Sequence, residues 1–233
     1  MSKEGDVIPE PPKFPRTAHL PESGGLSVRG EKALAKSDAR RMLVDEVVVE
    51  EKVDGTNIGL WFDESGRFVL RHRGTNVKAV RTAEYQRLRA WAARYEPALR
   101  DVLGNRLALY GEWLYARHAI AYDNLPDYFI AFDVFDRERR VFLDTAARHR
   151  VASSTGLCEV PVLFRGVLGS LERLRSLLGG SRWSSTDKAE GLVVRLERDG
   201  VLILRAKFLR PGWVPGPELH WSTRAVELNR LAA

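Results

Sequence analysis

The stretch DGTN at 54–57 lies between two strongly apolar runs, VVV at 47–49 and IGLWF at 58–62, and no other segment restricts the fold as much. Asp-Gly is a favoured hairpin-turn pair because both residues tolerate positive φ, and β-branched and aromatic residues on either side favour strands. The pattern predicts two strands joined by a hairpin, with Lys52 where the first strand enters the turn. A lysine there is either a solvated charge at the rim or a nucleophile held at a strand end, and the local sequence leaves both readings open.

The same enrichment predicts strands near 46–53, 57–63, 67–73, 107–115, 128–136, 190–197 and 201–208, with ESG and RDG as turns. Helical spacing runs over about 80–103, where Tyr85, Leu88, Trp91 and Ala92 recur every three or four residues. Shorter helices are expected at 144–155, at 171–178 between Ser170 and Gly179, and at 223–232 after Ser222. Hairpins outnumber strand-helix-strand units, so the expected class is α+β with mainly antiparallel sheets. The proline-rich start reads as an extended segment over 1–25, followed by one domain over 26–233, with no interdomain linker or repeat.

Composition narrows the partners. A formal charge of +6, carried mostly by arginine, favours a polyanion met through planar bidentate contacts. Cys158 is the only cysteine, which excludes an intramolecular disulfide and fits a reducing, cytoplasmic setting. The N-terminus has no apolar export core, and no run of about 18 apolar residues occurs, so no membrane insertion is expected.

Five stretches concentrate polar residues within apolar strands: EKVDGTN at 51–57, RHRGTN at 71–76, YGEWLY at 110–115, FIAFDVFD at 129–136, and KAEGLVVRL with LRAKFLR across 188–210. Charges in strands are costly unless paired or useful. In order and type these stretches resemble the covalent nucleotidyltransferase superfamily of polynucleotide ligases and capping enzymes. Lys52-x-Asp54-Gly55 matches the nucleophile motif, Gly111-Glu112, Phe132-Asp133 and Glu190-Gly191 match the next three, and Arg205 with Lys207 matches the basic one. Glu51 before the lysine, Thr56-Asn57 after the glycine, and FPRTAHLP at 14–21 look most like ATP-dependent RNA ligases of the phage RNA ligase 2-like branch. The chain departs from that pattern at Arg205, where lysine is usual, and fewer than thirty residues follow Lys207.

The resemblance implies an adenylyltransferase (ATP-grasp-like) domain: two mainly antiparallel sheets with flanking helices, a nucleotide cleft between them, and no separate C-terminal OB or helical domain. It implies an ATP-dependent RNA ligase joining 3′-hydroxyl and 5′-phosphate ends through lysyl-AMP and an adenylylated 5′-end. Lys52 is then the nucleophile, with a site that must depress its pKa, and Lys207 and Arg205 steady the α-phosphate. Phe132 offers a face for adenine, Glu112 accepts from the ribose, and Glu51 sets base choice. Glu190, Asp133 and Asp54 are the implied ligands of Mg²⁺ or Mn²⁺. Arg71 and Arg73 meet the nucleotide or an incoming 5′-phosphate, and Asn57 meets the nucleic-acid end. Nucleic acid is the implied partner, together with a protein that supplies the duplex grip of the missing domain. The plainer readings stand beside these: Glu190 pairing only with Lys188 or Arg205, at least one of Phe129, Phe132 and Phe135 serving as core, and the arginines at 87–100 forming a solvated face. A DNA or DNA-RNA hybrid ligase, a guanylyltransferase, and a non-catalytic end-binding module are the alternative functions.

Overall fold

Side-chain alternation sorts the strands into two sheets whose inner faces differ sharply from their outer ones. The computed structural model describes residues 8–21, 33–72, 82–213 and 227–232. Its elements in chain order are β1 (Ala18–His19), α1 (Lys36–Val44), β2 (Glu46–Lys52), β3 (Thr56–Phe62), β4 (Phe68–His72), α2 (Ala83–Leu103), β5 (Leu107–Trp113), β6 (Phe129–Asp136), β7 (Val141–Phe142), α3 (Thr145–Thr155), β8 (Cys158–Glu159), β9 (Val162–Val167), α4 (Leu171–Arg175), β10 (Gly191–Arg198) and β11 (Val201–Leu209). One sheet runs β1-β11-β10-β2-β9 and the other β4-β3-β5-β6-β7, with β8 beside β6. All their pairings are antiparallel except β1 with β11 and β6 with β8, so the fold is α+β with two mainly antiparallel sheets.

β2 is central in the first sheet, and period-two alternation gives it two unlike faces. Val47 and Val49 join Leu192, Val194, Ala206 and Phe208 in a core that also takes Met42 of α1. The opposite face carries Glu50 and Lys52, and register puts Val193 opposite both Glu50 and Lys207, and Arg195 opposite Arg205. The face turned to the second sheet is thus a patch of charge. In the second sheet, Ile58, Leu60 and Phe62 pack with Leu88, Ala92 and Leu99 of α2. Asn57, Gly59 and Trp61 alternate to the other side, opposite Glu112, Tyr110 and Ala108.

The expected hairpin at DGTN does not form. β2 pairs with β10 and β9, whereas β3 pairs with β4 and β5, so residues 53–55 carry the chain from one sheet to the other. The other two turns are hairpins: Gly66 has φ 73°, and Asp199 and Gly200 have φ 52° and 79°, the double positive φ of a tight two-residue turn. α2 starts at Thr82, whose hydroxyl accepts from Tyr85 N, and α3 at Asp144, whose carboxylate accepts from Ala147 N. α1 and β9 were not foreseen, and α4 stops at Arg175. The helix expected at 223–232 is not seen over 227–232, where Leu228 and Leu231 instead make isolated bridges to Ala116 and Leu125; positions 223–226 lie outside the described residues.

The described part of the proline-rich start, from Ile8, is bound down by side chains of the second sheet and of the turn after β6. Arg137 donates to the carbonyls of Ile8 and Pro9, and Arg71 to those of Pro11 and Pro12, so two guanidiniums satisfy carbonyls of a segment that joins no sheet. Phe14 is buried against Tyr110, Phe132 and Phe142.

Candidate active site

Lys52 ends β2 where the chain leaves the first sheet, and its amine lies 2.7 Å from Glu190 Oε2. Glu190 immediately precedes β10, and Gly191 opens that strand directly opposite Lys52. A Cβ on Gly191 would stand 2.3 Å from the Phe208 carbonyl oxygen, so only glycine lets β10 approach β11 closely enough to seat Glu190 here. From the second sheet, Glu112 Oε1 accepts from Gly55 N at 3.1 Å, which pins the connecting turn to β5. Gly55 is constrained likewise: an added Cβ would lie 2.5 Å from Leu114 and 2.6 Å from the Trp113 carbonyl. Asp54 Oδ2 accepts from Ala119 N and Ile120 N at 2.8 and 3.3 Å, and Asp54 N donates to Tyr122 OH.

The electrostatics follow from burial and crowding. Burial pushes the Glu112 carboxyl up to about 7, with Glu190 and Asp54 adding and Lys52 opposing. Burial also raises Glu190, against the pull of Lys52 and of Lys207 on β11. For Lys52, burial favours the neutral amine, but Glu190, Glu112 and Asp54 outweigh it and the pKa is raised. The depressed value expected from sequence is therefore not found for the protein alone, because three carboxylates surround the amine. Negative charge in excess is what a divalent cation would relieve, and that relief is also what would let the amine give up its proton. Among the described residues no group of three or more metal-ligating side chains converges. Mg²⁺-like ions, however, are commonly held by one or two carboxylates with phosphate oxygens and water completing the shell, so Glu190 and Asp54 fit such an ion.

Phe132 owes its direction to a bulge. Tyr110 is opposite Asp133 and Gly111 opposite Ala131, leaving Phe132 as the extra residue on β6, a device that re-aims a side chain. Its carbonyl accepts from Arg148 Nη1 at 2.8 Å. Asp133 is engaged through Oδ1 by Arg195 at 2.7 Å and through Oδ2 by Arg205. Arg205 also lies over the Phe14 and Phe142 rings at 4.3 and 5.0 Å. Arg195 reaches Glu197 at 2.7 Å and Glu50 at 3.9 Å, and Arg148 reaches Glu50 at 2.6 Å and Glu159 at 2.9 Å. Together these groups form a buried ion-pair layer joining the two sheets.

The structure thus gathers Lys52, Asp54, Glu112, Glu190 and Lys207 by contact or charge. Asn57 is half-buried on β3 opposite Glu112. Glu51 is buried on the reverse face, its oxygens accepting from Ser181 Oγ at 2.5 Å and Arg182 N at 3.0 Å. Arg71 is engaged with the N-terminal carbonyls and lies over Trp61 at 4.5 Å. Arg73 falls outside the described residues. Two neighbours escaped the sequence reading. Tyr122 anchors Asp54 N, and His118 Nε2 lies 3.4 Å from Thr56 Oγ1, its pKa lowered by burial. Both sit in the irregular stretch after β5, which has no periodicity to betray them.

A family model described as RNA ligase matches residues 45–208. Similar solved structures include variants of Naegleria gruberi RNA ligase: one apo form at 18% identity with TM-score 0.61, covering 83% of this chain and 54% of that one, and another apo form at 16% and 0.60, covering 84% and 54%. A third, solved with ATP and Mn, has 16% identity and TM-score 0.59, covering 83% of this chain and 55% of that one. The chain therefore spans about half the length of those ligases, and at these identities the likeness shows a shared fold. No curated protein matches the sequence.

Proposed function

The chain belongs to the RNA ligase family, and from that membership we propose that it is an ATP-dependent RNA ligase that seals a 3′-hydroxyl to a 5′-phosphate. The supporting observation is the convergence of Lys52, Glu112, Glu190 and Lys207 from four distant stretches around one amine. In the first step Lys52 Nζ attacks the α-phosphorus of ATP, forming a P–N bond as pyrophosphate leaves. The amine must first lose a proton, and Glu190, hydrogen-bonded to it, favours the protonated form until an ion engages that carboxylate. A 5′-phosphate oxygen then displaces Lys52 from phosphorus, and finally the 3′-hydroxyl displaces AMP.

Lys207 holds its charge toward the α-phosphate, Glu112 accepts from the ribose, and Phe132 presents its ring to adenine. Mg²⁺ or Mn²⁺, as in the Naegleria ligase solved with ATP and Mn, would sit on Glu190 and Asp54 and neutralise phosphate charge. Asp133 instead anchors Arg195 and Arg205, and Arg205 acts as a positioning residue behind Lys207. Asn57 meets the nucleic-acid end, and Glu51, through Ser181 and Arg182, shapes the base pocket from behind. Thr56-Asn57 after the glycine favours the phage RNA ligase 2-like branch, and a single cysteine fits a reducing cytoplasm. No helix among the described residues is long and apolar enough to cross a membrane. The test is sealing of nicked duplexes with RNA or DNA on each side of the break. RNA on the 3′-hydroxyl side should join best, and equal or better joining of all-DNA nicks would remove the RNA preference.

A further inference from the structure

Helix α2 places Arg87, Trp91, Arg94 and Tyr95 along one stripe, spaced four, seven and eight residues from the first. Trp91 and Tyr95 lie ring to ring at 4.8 Å, and both polar tips donate to one oxygen, Asp127 Oδ2, at 3.1 and 2.8 Å. That shared acceptor fixes the orientation of both rings. The row continues through Tyr128 to Tyr115, which meet edge to face at 5.1 Å. It is anchored inside by Phe129, 4.7 Å from Trp91, and all four outer rings stay half-buried rather than sealed. Arg87 and Arg94 are exposed, and Arg94 lies over the Tyr95 ring at 5.6 Å.

The stripe starts beyond the end of β5, on the face of the second sheet opposite the one that carries Glu112. Tyr115 follows β5 by two residues from Trp113, which pairs with Thr56 beside the Lys52 turn. From there the rings lead away over the outer face of the second sheet. Flat rings interleaved with guanidiniums suit a chain of bases and phosphates: the rings stack any base and the cations follow the backbone. A purely apolar partner would leave Arg87 and Arg94 without a counterpart.

We propose that this stripe docks the unpaired RNA strand leading to the end being sealed, with bases on Tyr95, Trp91 and the Tyr115–Tyr128 pair and phosphates on Arg87 and Arg94. The proposal rests on the RNA-ligase reading for its choice of polymer. The platform explains why two of these rings share one acceptor and all four stay half-exposed, a role the nucleotide chemistry does not need.

The experiment is a fluorescence-anisotropy titration of the full chain with labelled oligoadenylate RNA of about 12 nucleotides, and with a duplex of the same length. The variants are Tyr95→Ala, Tyr95→Phe and the surface double substitution Arg87→Gln with Arg94→Gln. Tyr95→Ala should weaken single-strand binding about 5-fold or more, and Tyr95→Phe should retain it because the ring remains. The double substitution should lower the slope of log affinity against log salt by about 1.4 for the single strand. It keeps the proposal falsifiable should Tyr95→Ala fail to fold. Single-strand affinity indifferent to both kinds of change would overturn the platform, as would an equal loss with duplex from Tyr95→Ala. Self-association abolished by the same changes, with RNA binding intact, would give the stripe to a second copy instead. Labelled-AMP adduct formation by the unsubstituted chain is read in parallel. An adduct with stripe-independent RNA binding sinks the platform alone, and stripe-dependent binding without an adduct sinks the ligase reading alone.

Discussion

Replacing Glu112 by glutamine should stabilise the fold while damaging the site. Its carboxyl rises from the ordinary 4.5 to about 7 in the folded chain. An acid whose folded pKa is raised binds its proton more tightly in the native state, so stability is greatest below the unfolded value. It falls as pH rises from about 4.5 to about 7 and stays low above that. The shift corresponds to about 3 kcal/mol at pH 8, reduced to about 1–2 kcal/mol by the residue's partial exposure. Glutamine keeps an oxygen to accept from Gly55 N and carries no charge. In thermal unfolding, Glu112→Gln should raise Tm by about 2–8 °C at pH 8 and by much less at pH 5. Glu84 is also raised by burial, but it is present in either protein and cancels from the difference, whereas the repulsion between Glu112 and Glu190 is part of what glutamine removes and acts in the same direction. The same variant should form less AMP adduct, because the ribose contact is lost. An equal Tm change at both pH values, or a lower Tm at pH 8, would refute the reasoning.

Three surrounding carboxylates hold the Lys52 amine protonated, so adduct formation by the native enzyme should accelerate with rising pH through neutrality. In Glu190→Gln, with one of those charges removed, the rise should begin at lower pH even as the maximal rate drops; a quenched-flow pH series with labelled ATP checks both. Arg195→Met should leave Glu50 and Asp133 buried without their shared cation. Breaking a buried pair in this way costs about 3–5 kcal/mol, measurable by urea unfolding.

Much of the site was legible from chemistry-bearing residues at recognisable spacing. Lys52, Glu112, Glu190 and Lys207 come from four separate stretches singled out by residue type, and their charges act on one another in the fold. What failed was local inference about long-range placement. The composition of DGTN reads as a hairpin, but the turn is held by Ala119, Ile120, Tyr122 and Glu112, all distant in sequence, and it links two sheets rather than two paired strands. Helix α1 escaped because KSDARRMLV spans only nine residues, and its inward stripe of Ala39, Met42 and Leu43 is too short to show a period in the sequence. The buried charge layer was half visible. Val48, Glu50 and Lys52 alternate on β2, a period that marks one charged face, but the identity of the partners Arg148 and Arg195 depends on strand register and on α3. Asp133 and Arg71 fit the expected types for ligand contacts, yet tertiary packing gives them arginines and N-terminal carbonyls respectively.

The most direct measurement is to incubate the native chain with ATP and Mg²⁺, digest it, and map any attached AMP by mass spectrometry under conditions that preserve an acid-labile phosphoramidate. AMP should appear on the peptide containing Lys52 and vanish in Lys52→Ala. Modification of a different residue, or an adduct undiminished in that variant, would contradict the assignment of Lys52 as the nucleophile.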